Sequence, residues 1–250
     1  MTKTLQRSLA HLGATRRLIA GHSAAAAVVG LLPIPYVEDQ VPALIRRAMI
    51  RRIAEARHVD LDEEAVRAVA EGRVAKPNWR SLLGVGSLVR TARRSVRTAL
   101  LAYGIYRRSE AASRTFALGT LFDHYCARHH VGVGLDAAQA FVLRERIDAA
   151  IASKGGSLGA YALRRAFTAG LRAAVRAPFE IASALTFGRI KRLRAKDEVE
   201  AEELVETTID SELAGQGSFL ARVVNAADRQ LSSMGNGWID GLVGAFEEPR

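Results

Sequence analysis

The segment FDHYCARHH holds the residues best placed for chemistry. On a helix, Asp123, Cys126 and His130 are spaced i, i+3 and i+7 and share one face, so an oxygen, a sulfur and an imidazole converge as they would on a transition metal. One helix rarely completes a tetrahedral set, and this chain offers neither a second cysteine nor an H-x-x-x-H cluster as a fourth ligand. Cys126 and His130 also read as a nucleophile and its base, but both lie on one helix without a third group to orient them. The structural alternative packs Cys126 as a small apolar residue and leaves the histidines at a helix end, where their positive form suits the dipole. No catalytic residue and no cofactor are expected, and a helical metal-dependent enzyme ranks behind the non-enzymatic readings.

The second feature is cationic. Between Glu71 and Glu110 there is no acid, but there are nine Lys and Arg, four of them at Arg90, Arg93, Arg94 and Arg97. A second cluster comprises Arg189, Lys191, Arg192 and Arg194. Basic amphipathic helices of this kind suit an anionic phospholipid surface at about 1 kcal/mol per well-placed basic residue. Nucleic acid fits less well, because no helix-turn-helix, stacking platform or basic arm accompanies the charge. The plain alternative is a solvated face.

These charges belong to a strongly polarised chain of 250 residues with a formal net charge of +10. Residues 1–196 carry 33 Lys and Arg against 14 acids, while residues 197–250 carry 3 against 12. Either the basic part meets an anionic partner, or the acidic part folds back and neutralises it. A hydrophobic content of 49% fills a core, which excludes disorder of the whole chain. The lone cysteine excludes an intramolecular disulfide framework and sets the expectation of a cytoplasmic address, or a peripheral one at the cytosolic face of the inner membrane. An export signal is suggested by TRRLIAGHSAAAAVVGLL, but no small-x-small cleavage site follows it. The glycine pairs in LLGVGS and VGVGLD lack the strand and lysine of a phosphate loop, so a nucleotide-hydrolysing partner would be another polypeptide.

Low proline and aromatic content, with recurrent Ala, Leu, Arg and Glu, favours helices, and the expected fold is an all-α multi-helix bundle. Helices are predicted over 15–32, 41–57, 110–129, 136–153, 158–176 and 178–213, with a basic one through 85–100 and a C-terminal helix followed by a glycine-interrupted apolar end. In HVDLDEEAVRAVAEG, Asp60 is placed to cap a short helix, with Glu63 reaching back and Gly72 as the stop. Three regions follow: an N-terminal hairpin module over 1–72, a basic helical region over 73–196 and an acidic helical region over 197–250, together one compact domain. No internal repeat is evident.

The run from Leu18 to Val37 is 20 residues without a formal charge, the length of a membrane span. Arginines flank both ends, which suits a hairpin better than a single crossing. Pro33 and Pro35 form its tip, and Glu38 and Asp39 begin the return helix. Two readings stay open: the Ala-rich arm packs inside the fold, or the hairpin rests on a bilayer.

The features Ala24 to Ala27, Pro33, Pro35, Asp39, the Leu44 to Ile53 helix with Met49, and LDEEAVRAV resemble the bacterial domain-of-unknown-function family often attached to Era-like GTPase modules and present in YcjF-type inner-membrane proteins. The likeness covers residues 18–72. It implies a helical, membrane-proximal or GTPase-associated module and carries over no catalytic residue. The resulting expectation is a non-enzymatic helical protein acting at the cytosolic face of a bacterial membrane through its basic helices. The alternative is a soluble helical adaptor for a partner protein, for which a GTPase is the leading candidate.

Overall fold

A computed structural model describes residues 12–29, 37–72, 94–129, 134–174, 198–215, 218–234 and 237–248. Among the described residues there are nine α-helices and no strand, as the composition predicts: α1 (Leu12–Val29), α2 (Val37–Ala56), α3 (Glu63–Glu71), α4 (Arg94–Arg128), α5 (Ala137–Ala152), α6 (Lys154–Ala174), α7 (Glu198–Ala214), α8 (Phe219–Ser233) and α9 (Gly237–Glu247). One apolar cluster draws buried residues from all nine. α4 packs on α1, α2 and α6, α6 in turn packs on α8 and α9, and α3 lies along α5.

The Ala-rich arm is core. Ala24, Ala25, Ala26 and Ala27 are buried on α1, which packs against α2, α4 and α8, so the first of the two hairpin readings describes this arm. Small side chains let helices approach closely, and α6 shows the extreme case. A Cβ on Gly159 would stand 2.7 Å from the Trp238 carbonyl oxygen, and one on Gly170 would stand 2.8 Å from that of Val223. These positions lie three turns apart on one face, where α9 and α8 press their backbones against it.

Two helix starts are built alike, although the sequence shows no repeat. Leu61 and Leu135 pair in a parallel bridge, with the Leu135 amide donating to the Asp60 carbonyl at 3.1 Å. Each leucine is followed by an aspartate that caps the next helix. Asp62 accepts from the Ala65 amide at 2.6 Å, and Asp136 accepts from Gln139 in a reciprocal capping box. The cap of α3 is therefore Asp62 rather than Asp60, because the bridge holds Asp60 and Leu61 extended. Glu63 pairs with Arg67 instead of reaching back.

Other boundaries shift for similar reasons. Ser153 alone separates α5 from α6, its amide and hydroxyl both donating to carbonyls of the last turn, so Gly155 and Gly156 fall inside α6. The two helices expected within 85–129 are continuous from Arg94. α2 starts at Val37 and carries Pro42 in its first turns. It ends in a Schellman motif, with the His58 amide donating to Glu55, the Val59 amide to Ala54, and His58 at φ 55°.

No helix among the described residues is long and apolar enough to cross a membrane.

Candidate functional site

The sequence-predicted chemistry at Asp123 resolves into a structural ion pair. Asp123 is fully buried on α4 and accepts from Arg57 Nε at 2.7 Å, from Arg57 Nη2 at 3.0 Å and from the Thr15 hydroxyl at 2.7 Å. Its bonds raise the affinity of Arg57 for its proton. The Schellman turn places Arg57 at the end of α2, where its guanidinium fork reaches α4. Cys126 is also buried, and burial pushes its thiol far above the ordinary range, against nucleophilic use. His130 lies outside the described residues.

The acidic C-terminal part does fold onto the basic N-terminal part. Arg51 of α2 binds buried Glu202 of α7 at 3.1 Å, and Arg47 of α2 meets Glu71 of α3 as well as Glu202 at 4.0 Å. Burial pushes the Glu202 carboxyl up, and the two arginines pull against that rise. One turn further along α7, Glu206 takes Arg52 at 2.7 Å, and a turn beyond it Asp210 takes the same arginine at 3.3 Å. Arg16 of α1 similarly reaches Asp228 of α8 at 2.8 Å.

A different balance holds in an open groove of about 890 Å³ where α2, α4, α5 and α6 meet. It is lined by Arg46, Arg108, Arg114, Arg144 and Arg164, against only Glu110 and Asp148. Two of the guanidiniums are held in place by the C-terminal end of α3. Arg46 Nε donates to the Ala70 carbonyl at 3.1 Å, and Arg144 Nη1 donates to that of Val69 at 2.6 Å. Cations belong at a helix C-terminus, where the macrodipole is negative. Their company has a consequence: burial first, and then the charge of Arg144, weaken the hold of Arg46 on its proton. An anion placed between them would relieve that repulsion.

Acids temper the rest of the rim. Arg144 Nε also donates to Asp148 at 2.9 Å, and Arg114 pairs with Glu110 at 3.1 Å one turn back on α4. Arg164 stands over the ring of Tyr161, 5.3 Å from its centroid, and Tyr161 itself is 57% exposed. Ser113 and Thr115 add small polar groups beside them, with the Ser113 hydroxyl donating to the Glu110 carbonyl. Together these groups offer guanidinium donors for phosphate or carboxylate and one aromatic face at the mouth.

Of the basic residues that sequence reasoning favoured, only two belong to a described element. Arg94 and Arg97 lie in the first turns of α4, while Arg90, Arg93, Arg189, Lys191, Arg192 and Arg194 lie outside the described residues. Glu38 and Asp39 lie in the first turn of α2, and Pro33 and Pro35 lie outside the described residues. The groove arginines come from four helices, and only the packing of those helices assembles them. A signal existed in the two isolated arginines of α5, Arg144 and Arg146, but nothing in the sequence joins Arg144 to Arg46.

The chain matches no family model, no curated protein and no solved structure, and its functional reading rests on this geometry.

Proposed function

We propose that this chain is a non-enzymatic helical protein that works peripherally at the cytosolic face of a bacterial membrane, binding anionic phospholipid headgroups through its arginine-rich surface. The observation that carries the reading is the groove, where five arginines face two carboxylates and two of the five are fixed by the end of α3. Guanidinium pairs chelate phosphate oxygens, and Tyr161 at the mouth has the amphipathic ring that favours a membrane interface. The lack of a spanning helix among the described residues fits docking on a surface rather than crossing it. Two buried acids, Asp123 and Glu202, are engaged by half-buried arginines, which fits a binding protein better than an acid–base catalyst.

Sedimentation with vesicles tests this. The full chain co-sediments with phosphatidylglycerol-containing vesicles at low salt and is released by 0.5 M NaCl, on the order of what screening to a few ångströms demands. Vesicles of phosphatidylcholine alone leave it in solution. A chain that ignores anionic vesicles at low salt overturns the reading. In that case, stoichiometric capture of a GTPase would favour the adaptor alternative.

A further inference from the structure

We propose that His124, His129 and Glu247 form a binding site for a divalent transition ion of the zinc class. The site is distinct from the groove and independent of lipid binding. His124 comes from the last turns of α4, His129 follows the end of that helix, and Glu247 is the last residue of α9, more than a hundred positions away. Their ligand atoms all lie within 4.8 Å of one another. His124 Nε2 stands 2.7 Å and His129 Nε2 stands 3.1 Å from the same oxygen, Glu247 Oε1. Tetrahedral zinc with bonds near 2.0–2.1 Å sets its donors roughly 3.3 Å apart, so an ion enters as the two nitrogen–oxygen spacings widen by about 0.2–0.6 Å and the two nitrogens settle at the same spacing.

The surroundings prepare the three ligands. Phe246 sets its ring edge-on to His124, with centroids 6.3 Å apart, and Tyr125 stacks on His129 at 6.1 Å. Both contacts fix imidazole planes. Glu247 is fixed through its neighbour, because Arg146 of α5 donates twice to the Phe246 carbonyl, at 3.1 and 2.8 Å, and lies over the Phe246 ring. Outer contacts of this kind orient ligands in known metal sites. The burial also has the right gradient. His124 is enclosed, whereas the side chains of His129 and Glu247 are each 34% exposed, which leaves an open side for a water ligand.

Two nitrogens and one carboxylate oxygen suit zinc, cobalt or ferrous iron better than calcium or magnesium. A carboxylate oxygen only accepts hydrogen bonds, so without metal each Nε2 carries a proton towards Glu247. On binding, Nε2 of each ring presents its lone pair to the ion and the remaining ring proton resides on Nδ1. One group opposes the ion: Arg128 Nη1 lies 3.9 Å from Glu247 Oε1. That opposition supplies a test with a sign that a simple histidine–glutamate latch would not produce.

The measurement is calorimetric titration of chelator-stripped full-length protein with Zn²⁺, repeated with Co²⁺ while its visible absorption is recorded. One equivalent binds, Co²⁺ gives a four- or five-coordinate spectrum, and thermal stability rises with added Zn²⁺. His129→Ala and Glu247→Gln, confirmed as folded by circular dichroism, each weaken binding by at least about tenfold. Arg128→Gln tightens it by about fivefold, the worth of removing one nearby cation. Cys126→Ala leaves it unchanged. Failure of the parent chain to bind Zn²⁺ at micromolar concentration overturns the proposal. So does loss of binding in His130→Ala with retention in His129→Ala.

Discussion

Arg46 and Arg47 are neighbours on α2, yet they serve opposite ends. Arg47 joins Arg51 and Arg52 in a ladder against Glu71, Glu202, Glu206 and Asp210, where cations and acids roughly balance. Arg46 instead lines the groove, where arginines outnumber acids. The charge of a segment therefore says little about its availability. The ladder spends its arginines on holding α7 to α2, whereas the groove gathers five arginines around two acids.

If the structural arginines hold the fold, the largest loss comes from the most buried pair. Arg57→Ala strands the fully buried Asp123 and costs about 3–5 kcal/mol, a fall on the order of 10 °C in Tm. Replacing both partners, Arg57→Met with Asp123→Leu, recovers most of that loss, because an apolar pair leaves no charge unmet. Chemical denaturation of the single and double variants checks both expectations.

Next in size is the ladder itself. Glu202→Ala removes a buried acceptor from Arg51 and costs about 2 kcal/mol by urea midpoint. Arg52→Gln, exposed and paired only at the surface, costs under about 1 kcal/mol.

Much of this contrast was legible in the sequence, but not its address. The uneven acids and bases left two readings open, an anionic partner for the basic part or an acidic part folded back on it, and Glu202, Glu206 and Asp210 do fold back. The helical period over 41–57 places Val41, Leu44, Ile45, Ala48, Met49 and Ile53 on one arc, and all of these except half-buried Leu44 are core. What remained hidden was contact between distant segments. FDHYCARHH drew attention for Asp123, Cys126 and His130, whereas the histidines that meet an acid are His124 and His129, five residues apart, and the acid is Glu247. Helical spacing cannot reveal a partner on another helix. The cap at Asp62 was missed for the same reason, since the bridge that extends Asp60 and Leu61 has its other half at Leu135.

A smaller effect is a pH dependence beside the ladder. His22 is buried on α1, and its Nδ1 donates to the Leu18 carbonyl at 2.9 Å, which leaves Nε2 without a partner among the described residues. Burial lowers its pKa, against the opposing influence of the Leu18 carbonyl and Asp210. An unfolded histidine titrates near 6.5, so below that pH the unfolded chain holds the extra proton. Its contribution is fully present above about pH 6.5 and is lost as pH falls towards the folded value. Urea midpoints at about pH 5, 6 and 7.5 should decline with acid in the parent and decline less in His22→Gln.

The smallest change expected is a gain. His58 occupies the left-handed position at the end of α2, which glycine adopts without penalty, so His58→Gly stabilises by about 0.5–1 kcal/mol in thermal unfolding. Arg57 keeps its place on Asp123.

The contrast between the ladder and the groove is tested most directly by measuring anionic-vesicle affinity for two variants side by side. Arg114→Gln with Arg164→Gln should weaken binding roughly thirtyfold, at about 1 kcal/mol per basic residue, with Tm nearly unchanged. Arg52→Gln should lose stability and keep its affinity within about twofold. Equal losses of affinity in the two, or loss only in Arg52→Gln, would contradict the account.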